Sequence, residues 1–386
     1  MSKTNPHFII VAGEASGDMH AAHLVRAIKE RCPQASFSGL GGPQMAAEGV
    51  DLLTDLTRWA VVGFVEVLKH YQKFKKIFYL LLAHVKDTRP DAVILVDYPG
   101  FNLRLAPEIK KLGIRVIYYI SPQVWAWKEK RVETIRDHTD RLLVLFPFEK
   151  GFYARHHIDV TLVGHPLVDI VKTQEEPRDY LRDHGIPEGK TVIGLLPGSR
   201  LNEINNLLPA MLEAGHEIRA KTLSPVQFLL FKAPTIPLDL LEQHIRKQGL
   251  PVRILETNIY DGIQSCALCL VASGTATLET AILNTPMVII YKTTFLTWLL
   301  AKLFIKIPCI GLVNIVAGKK IVPECVQQEA NARTIAQEAM KILSDSEKRI
   351  HMKKELSRVK ELLGDPGASG RAAEEVLRVV QDTAAR

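Results

Sequence analysis

The sequence predicts an α/β protein of two doubly wound parallel-sheet domains, with helices at the C-terminal end. Three observations carry that expectation. Short apolar runs rich in Val, Ile and Leu recur without polar alternation, the pattern of strands buried on both faces. Each run passes into a Gly-, Ser- or Pro-containing turn and then into a stretch with apolar residues at helical spacing, the rhythm of βα units. And 386 residues exceed what one core comfortably serves, while the polar run Thr173–Lys190, broken by two prolines, separates two such series.

Composition narrows the class. Hydrophobic residues make up 47% and charged residues 24%, ordinary for a globular chain. Lys and Arg number 49 against 42 Asp and Glu, a net charge of +7 that suits phosphorylated ligands or an anionic membrane face. The basic residues are scattered and no nucleic-acid motif occurs, so nucleic acid is not an expected partner. Five cysteines, Cys32, Cys266, Cys269, Cys309 and Cys325, are too few and odd in number for a disulfide framework. Cys266 and Cys269 form a CxxC, but CALCLVAS reads as a buried strand in which positions i and i+3 face opposite sides, so both are expected to be small core residues. MSKTNPHFIIVAG passes from a polar lead straight into a strand, without a secretory apolar region. The greasiest stretch, Thr294–Val316, is interrupted by Lys302, Lys306 and Pro308 and is not expected to cross a bilayer. A cytoplasmic protein is expected.

In chain order, Phe8–Ala12 reads as the first strand, followed by GEASGD (Gly13–Asp18) and a helix from about Met19 to Arg31. The turn lies at the carboxyl end of a strand, where ligands gather in open α/β sheets, but it is neither a dinucleotide fingerprint nor a P-loop. A tight turn with a Ser/Asp helix cap accounts for everything except Glu14, which that reading does not need and which is a candidate to touch substrate. Ser36–Leu40 is the next strand, leading into GLGGPQM. Trp59–Val85 has helical apolar spacing with Lys69, Lys73, Lys75 and Lys76 on the remaining face. It is read either as a helix packed on the sheet or as an interfacial element, since Phe64, Tyr71, Phe74, Phe78 and Tyr79 beside lysines suit anionic headgroups. Ala92–Val96 follows as a strand ending in DYPGFN, which puts Asp97 at the sheet edge facing the GEASGD crevice; the residues after it read as a turn. A carboxylate there can serve as general base. Val116–Ile120 ends in SPQVWAWKEKR, whose tryptophans are core or the wall of a sugar or acyl site. Leu142–Phe146 and Thr161–Val163, the latter ending in GHPLVD, complete this half.

A fresh series opens at Thr191 with strands Thr191–Leu196, Gln227–Lys232, Val252–Glu256, Leu268–Ala272 and Met287–Tyr291. In TVIGLLPGSRLNEI the strand breaks at Pro197, Gly198 and Ser199, and a helix over Asn202–Leu212 follows. Free backbone N–H groups, a helix dipole and the planar cation of Arg200 then converge, an anion cradle suited to a diphosphate. SGTATLE (Ser273–Glu279) is a second such turn: its amides suit phosphate, and Glu279 can reach a ribose diol. Gly311–Glu329 reads as a loop and helix start, and Arg333–Ala384 as mostly helical, broken at Gly364–Gly370.

Together these stretches resemble one family. AGEASGD, GLGGPQMAAEG, VVGFVEVL, DYPGFN, SPQVWAWK, VGHPLVD, LLPGSRLNEI, SGTATLE and NIVAGKKIVPE stand in the order of the lipid-A-disaccharide synthase family along nearly the whole chain. Val313 before Asn314, where Pro is expected, and Val62, where Met is common, depart from the pattern. The resemblance implies a GT-B fold of two Rossmann-like domains facing a cleft: residues 1–169 as the acceptor and membrane-facing domain, 170–345 as the UDP-binding domain, and 346–386 as helices packing back on an N-terminal domain of the same or a partner chain. It implies transfer of 2,3-diacylglucosamine from its UDP derivative to 2,3-diacylglucosamine 1-phosphate (lipid X), giving the β(1→6) disaccharide 1-phosphate and UDP with inversion.

On that resemblance, Asp97 takes the proton from the acceptor 6-hydroxyl, and Arg200 with the Gly198–Ser199 turn stabilises the departing UDP. Ser273, Gly274 and Thr275 lie near the phosphates, Glu279 at the ribose, Asn314 near the uracil or diphosphate, and Glu14, Ser16 and Asn102 on the acceptor or sugar side. No metal-ligand cluster or cofactor motif is evident, so metal-independent catalysis is expected. The lipid substrates turn Trp59–Val85 and Thr294–Ile307 into expected docking elements for the cytoplasmic face of the inner membrane. A homodimer stays open. Two rival classes, a UDP-GlcNAc 2-epimerase and a non-catalytic nucleotide-sugar-binding scaffold, use the same architecture without needing the lipid-facing stretches or both Asp97 and Arg200.

Overall fold

A computed structural model describes residues 5–57, 64–125, 129–293 and 309–381, with backbone only for residues 64–71. Its contacts divide the chain into two compact units: one runs through Pro166 and resumes at Asp365, the other begins at Leu167 and runs to Gly364.

The first unit is built on seven parallel strands: β1 (His7–Ala12), β2 (Ser36–Gly41), β3 (Asp51–Asp55), β4 (Ala92–Val96), β5 (Arg115–Tyr119), β6 (Arg141–Val144) and β7 (Val160–Leu162), in the order β3-β2-β1-β4-β5-β6-β7. Every residue of Phe8–Ala12 and of β4 is 0% exposed, which is why these runs carry no polar alternation. Each fully buried Val, Ile or Leu in them contributes about 1.5–3 kcal/mol. The second unit has six: β8 (Thr191–Leu196), β9 (Val226–Phe231), β10 (Val252–Leu255), β11 (Leu268–Ala272), β12 (Met287–Tyr291) and β13 (Glu324–Val326), ordered β10-β9-β8-β11-β12-β13 and again parallel. Strand order reverses beside β1 in one sheet and beside β8 in the other, so each sheet opens a crevice at the carboxyl ends of β1 and β4 or of β8 and β11.

The expected strands are present with ends shifted by a residue or two. β3 and β13, however, fall in stretches not read as strands. Both are short edge strands, DLLTD and ECV, whose single covered face leaves little apolar signal. The CxxC reading needs a different reason. Cys266 precedes β11, and a Cβ at Gly194 would lie 2.6 Å from the Cys269 Sγ and 3.1 Å from the Cys266 Sγ, so both thiols face the same glycine rather than opposite sides. Both are buried free thiols, and burial pushes the Cys266 thiol well up, away from reactive thiolate.

The terminal helices divide between the units. Ser346–Leu362 belongs to the second, where Glu355 on it pairs with Lys319 at 2.7 Å. Ala368–Gln381 packs on the helix Ala15–Arg31 in the first, with Arg31 pairing to Glu374 at 3.0 Å. Arg371 Nε donates to the Val163 carbonyl at 2.8 Å, tying the segment after β7 to this last helix.

The helix Phe64–Thr88 buries Ile77, Leu81 and Val85 against the first sheet, and Phe78 packs edge-on to Phe101 at 5.6 Å. Of the aromatics read as interfacial, Phe78 therefore serves the core, while Tyr79 and its neighbour Leu80 are 58% and 49% exposed beside exposed Lys73, Lys75 and Lys76. Trp59, Val62, Trp127 and Thr294–Ile307, and the side chains of Phe64, Lys69 and Tyr71, lie outside the described residues. Among the described residues no helix is long and apolar enough to cross a membrane.

Candidate active site

In the first unit, Ala12 on β1 is in register with Val96 on β4, so Gly13–Glu14 and Asp97–Tyr98 emerge side by side at the point where strand order reverses. The two turns are fitted to each other. A Cβ at Gly13 would lie 2.3 Å from the Tyr98 ring, so only glycine lets that ring close over the first turn. Burial first, and the Glu14 charge second, push the Tyr98 phenol up to about 12, keeping it protonated. Glu14 and Ser16, at the start of the helix Ala15–Arg31, are half-buried and open to the same edge.

The residues after Asp97 form a helix start rather than the expected free turn: the helix is Pro99–Lys111, with Tyr98 as its N-cap. To change direction that fast, Asp97 and Tyr98 both adopt left-handed backbone, at φ +45° and +48°. Such a conformation costs a non-glycine residue about 1–2 kcal/mol. Hydrogen bonds offset the strain. The Asp97 N–H donates to the Tyr119 carbonyl at 3.1 Å, while the Asp97 carbonyl accepts from the Tyr118 hydroxyl at 2.7 Å and from Asn102 Nδ2 at 2.8 Å. Asn102 thus spends its amide N–H groups inside the fold. It is 0% exposed, and its amide also donates to the Val96 carbonyl at 3.2 Å.

Asp18, read from the sequence as part of a local cap, does something longer-ranged. Its buried carboxylate accepts from the backbone of Gly42 at 2.8 Å, Gln44 at 3.0 Å and Met45 at 3.1 Å, capping the helix Pro43–Ala47 and binding the first glycine turn to the second.

In the second unit, Leu195 and Leu196 on β8 pair with Leu270 and Val271 on β11, which sets Pro197–Arg200 beside Ser273–Thr275. The expected cradle at Arg200 is already satisfied from within. Glu203, one turn into the helix Leu201–Lys221, accepts from the Ser199 N–H at 2.9 Å and the Arg200 N–H at 3.2 Å, and its other oxygen pairs with Arg200 Nη1 at 3.0 Å. The turn amides of Ser199 and Arg200 thus hold an internal carboxylate rather than standing open for phosphate. Gly198 makes this possible: at φ +113°, a Cβ there would lie 2.3 Å from Glu203 Oε2. The guanidinium of Arg200 remains one-third exposed. The sequence carried a signal for Glu203, an acidic residue at the third helical position after a turn.

At the neighbouring turn, Ser273 Oγ donates to the Ile310 carbonyl at 3.3 Å, and Thr277 Oγ1 to the Gly274 carbonyl at 2.8 Å. A Cβ at Gly274 would meet nothing within 4 Å, so the backbone there opens onto free space. Glu279 is half-buried on the helix Ala276–Ile282. Burial raises its pKa, and the Tyr260 hydroxyl donates to it at 3.4 Å. Tyr260 had no sequence signal, since its helix, Ile259–Gln264, meets Glu279 only in the fold.

Asn314 is engaged within its own loop. It is 0% exposed: Nδ2 donates to the Val322 carbonyl at 2.9 Å and Glu324 Oε1 at 2.8 Å, and Oδ1 accepts from the Ile321 and Val322 amides at 2.8 and 3.0 Å. These side-chain hydrogen bonds close the loop Gly311–Glu324. Among the described residues no group of three or more His, Cys, Asp or Glu side chains is placed to hold a metal ion.

The structure therefore gathers Glu14, Ser16 and Asp97 at one sheet edge, and Gly198, Ser199, Arg200, Ser273, Gly274 and Thr275 at the other, with Glu279 one turn beyond.

The chain is similar to known proteins over nearly its whole length. The family described as Lipid-A-disaccharide synthetase matches residues 8–376. Lipid-A-disaccharide synthase of Syntrophus aciditrophicus is 44% identical over 374 residues, covering 97% of each chain, and that of Nitrosococcus oceani is 42% identical over 381 residues, covering 99% of this chain and 98% of the relative. Among solved structures, UDP-GlcNAc 2-epimerase from Neisseria meningitidis bound to UDP-GlcNAc has a TM-score of 0.66 at 12% identity, covering 96% of this chain and 100% of that one. The glycotransferase of kitacinnamycin has a TM-score of 0.63 at 16% identity, covering 97% and 99%. At such identities these structures speak for the GT-B fold alone.

Proposed function

Since the chain belongs to the lipid-A-disaccharide synthetase family, we propose that it condenses UDP-2,3-diacylglucosamine with lipid X by direct displacement, with Asp97 as general base. The bond from the donor anomeric carbon to the diphosphate oxygen breaks as the acceptor O6 bonds to that carbon. The O6 proton passes to the Asp97 carboxylate, and UDP leaves with the electron pair. One base and one anion-stabilising site on opposite faces of the sugar suffice for inversion, without a covalent intermediate. The observation that carries the reading is the position of Asp97: half-buried, at the reversal of strand order, on a braced elbow beside Glu14. Such a base contributes about 10²–10⁴ in rate. Glu14 and Ser16 line the acceptor side.

On the leaving-group side, Arg200 supplies the charge, helped by the open backbone of Ser273, Gly274 and Thr275. Gly198 and Ser199 shape the turn that presents it, and Glu279 takes the ribose diol. Losing an electrostatic donor of this kind costs roughly 10²–10³ in kcat. This scheme needs no divalent cation. Enzyme treated with EDTA is expected to keep its rate, and strict dependence on added Mg²⁺ would overturn that part of the reading. Exposed Tyr79 and Leu80 among Lys73, Lys75 and Lys76 support docking on an anionic leaflet without insertion. Partial release from membranes by high salt and fuller release by detergent is the expected behaviour.

The test is UDP release by the purified chain. Release from UDP-2,3-diacylglucosamine that depends on lipid X supports the proposal; conversion of UDP-GlcNAc to its 2-epimer without an acceptor would replace it with epimerisation.

A further inference from the structure

The peptide that carries Asp97 is fixed more tightly than a strand-to-helix junction requires. The Asp97 carbonyl receives two donors from different directions, the Tyr118 hydroxyl on β5 at 2.7 Å and Asn102 Nδ2 in the following helix at 2.8 Å, while its N–H is held by the Tyr119 carbonyl at 3.1 Å. Resting on the reading of Asp97 as the base, we infer that Tyr118 and Asn102 are positioning residues for the transfer: by converging on one carbonyl they hold the left-handed Asp97–Tyr98 elbow and so fix where the Asp97 carboxylate stands.

Two features separate this role from ordinary core packing. Asn102 is fully buried, its Nδ2 spans the Val96 and Asp97 carbonyls, and its Oδ1 has no hydrogen-bond partner among the described residues. An orphaned buried oxygen is a cost that an apolar side chain of the same size would avoid, so the residue is there for its donors. Tyr118 is also fully buried, and its phenol lies well above the usual range, from burial first and then from the Asp97 charge nearby. It remains a hydroxyl at every working pH, and toward a carbonyl a hydroxyl can only donate. Without these two donors, the two successive positive-φ residues would relax toward ordinary backbone and carry the carboxylate off the line of the acceptor hydroxyl.

The experiment compares single-turnover transfer by Tyr118→Phe in two backgrounds, wild type and Asp97→Asn, with folded fraction read from UDP-binding stoichiometry. The ring stays, so only the donor is lost. Expected is a roughly 10-fold lower kcat in the wild-type background, with KM for the UDP-sugar within about twofold, and less than a twofold further loss in the Asp97→Asn background. Asn102→Ala serves as the second variant, with the same pattern expected should Tyr118→Phe not fold. An unchanged kcat, or the same fold-loss in both backgrounds, overturns the inference while leaving the base assignment intact. Full activity of Asp97→Asn itself removes the base, and the positioning role with it.

Discussion

Glu203 gives the sharpest prediction, because it occupies the place in which a diphosphate is proposed to bind. Its carboxylate takes the Ser199 and Arg200 amides at 2.9 and 3.2 Å and the Arg200 guanidinium at 3.0 Å. A phosphate group paired with the outer side of Arg200 would stand about 6 Å from that carboxylate. Coulomb's law at an effective dielectric of about 20 to 80 makes the repulsion roughly 0.7–3 kcal/mol per unit charge. Glu203→Gln removes the charge but keeps an oxygen that can accept from the two amides, so the turn survives at a cost of about 1 kcal/mol. UDP is therefore expected to bind Glu203→Gln on the order of 10-fold more tightly than wild type, with a smaller gain in high salt, because the effect is electrostatic. Titration calorimetry with UDP measures it, with Arg200→Ala, expected to weaken UDP, as the opposing control. If Glu203→Gln loses as much affinity as Arg200→Ala, the carboxylate orients the guanidinium for the ligand rather than competing with the ligand for it, and the reasoning fails.

The remaining predictions concern buried polar groups of the fold. Asn314→Ala removes four hydrogen bonds and should destabilise the fold by about 2–4 kcal/mol without changing the UDP affinity of the folded fraction; lost UDP affinity at unchanged melting temperature would restore Asn314 to the site. His20 is 5% exposed, and burial lowers its pKa to about 4; the ring of His165, also held well below its usual pKa by burial, lies 5.9 Å away. Because the folded imidazole resists the proton that the unfolded one accepts near 6.5, stability is full above that pH and is lost as pH falls toward 4. For His20 alone the loss is about 2 kcal/mol by pH 5. Urea midpoints at pH 7.5 and pH 5 test this, and equal midpoints would contradict it; His20→Phe should flatten the dependence.

What was legible in the sequence was what local pattern determines. Runs such as FIIVA and AVILV announced buried parallel strands because burial on both faces leaves no polar alternation, and glycine turns behind them announced the sheet edges where ligands bind. The edge strands DLLTD and ECV were illegible because an edge needs few apolar residues. Long-range hydrogen bonding was illegible for another reason. A carboxylate or amide shows its chemistry in the sequence, but not its partner. Asn314 and Asn102 were polar groups in ligand-like turns, and the fold spends both on carbonyls and amides several residues away. Asp18 crosses 24 residues to reach the Gly42 amide. The position of Asp97 at the sheet edge was readable from its place after β4, whereas the strained elbow under it, φ +45° then +48°, was not, since neither Asp97 nor Tyr98 is a glycine that would advertise positive φ.

The most direct test of the account is single-turnover transfer from UDP-2,3-diacylglucosamine to lipid X by Asp97→Asn, with UDP affinity measured on the same preparation. The account predicts transfer slower by about 10²–10⁴ with UDP affinity within about twofold of wild type. Transfer at the wild-type rate would contradict it.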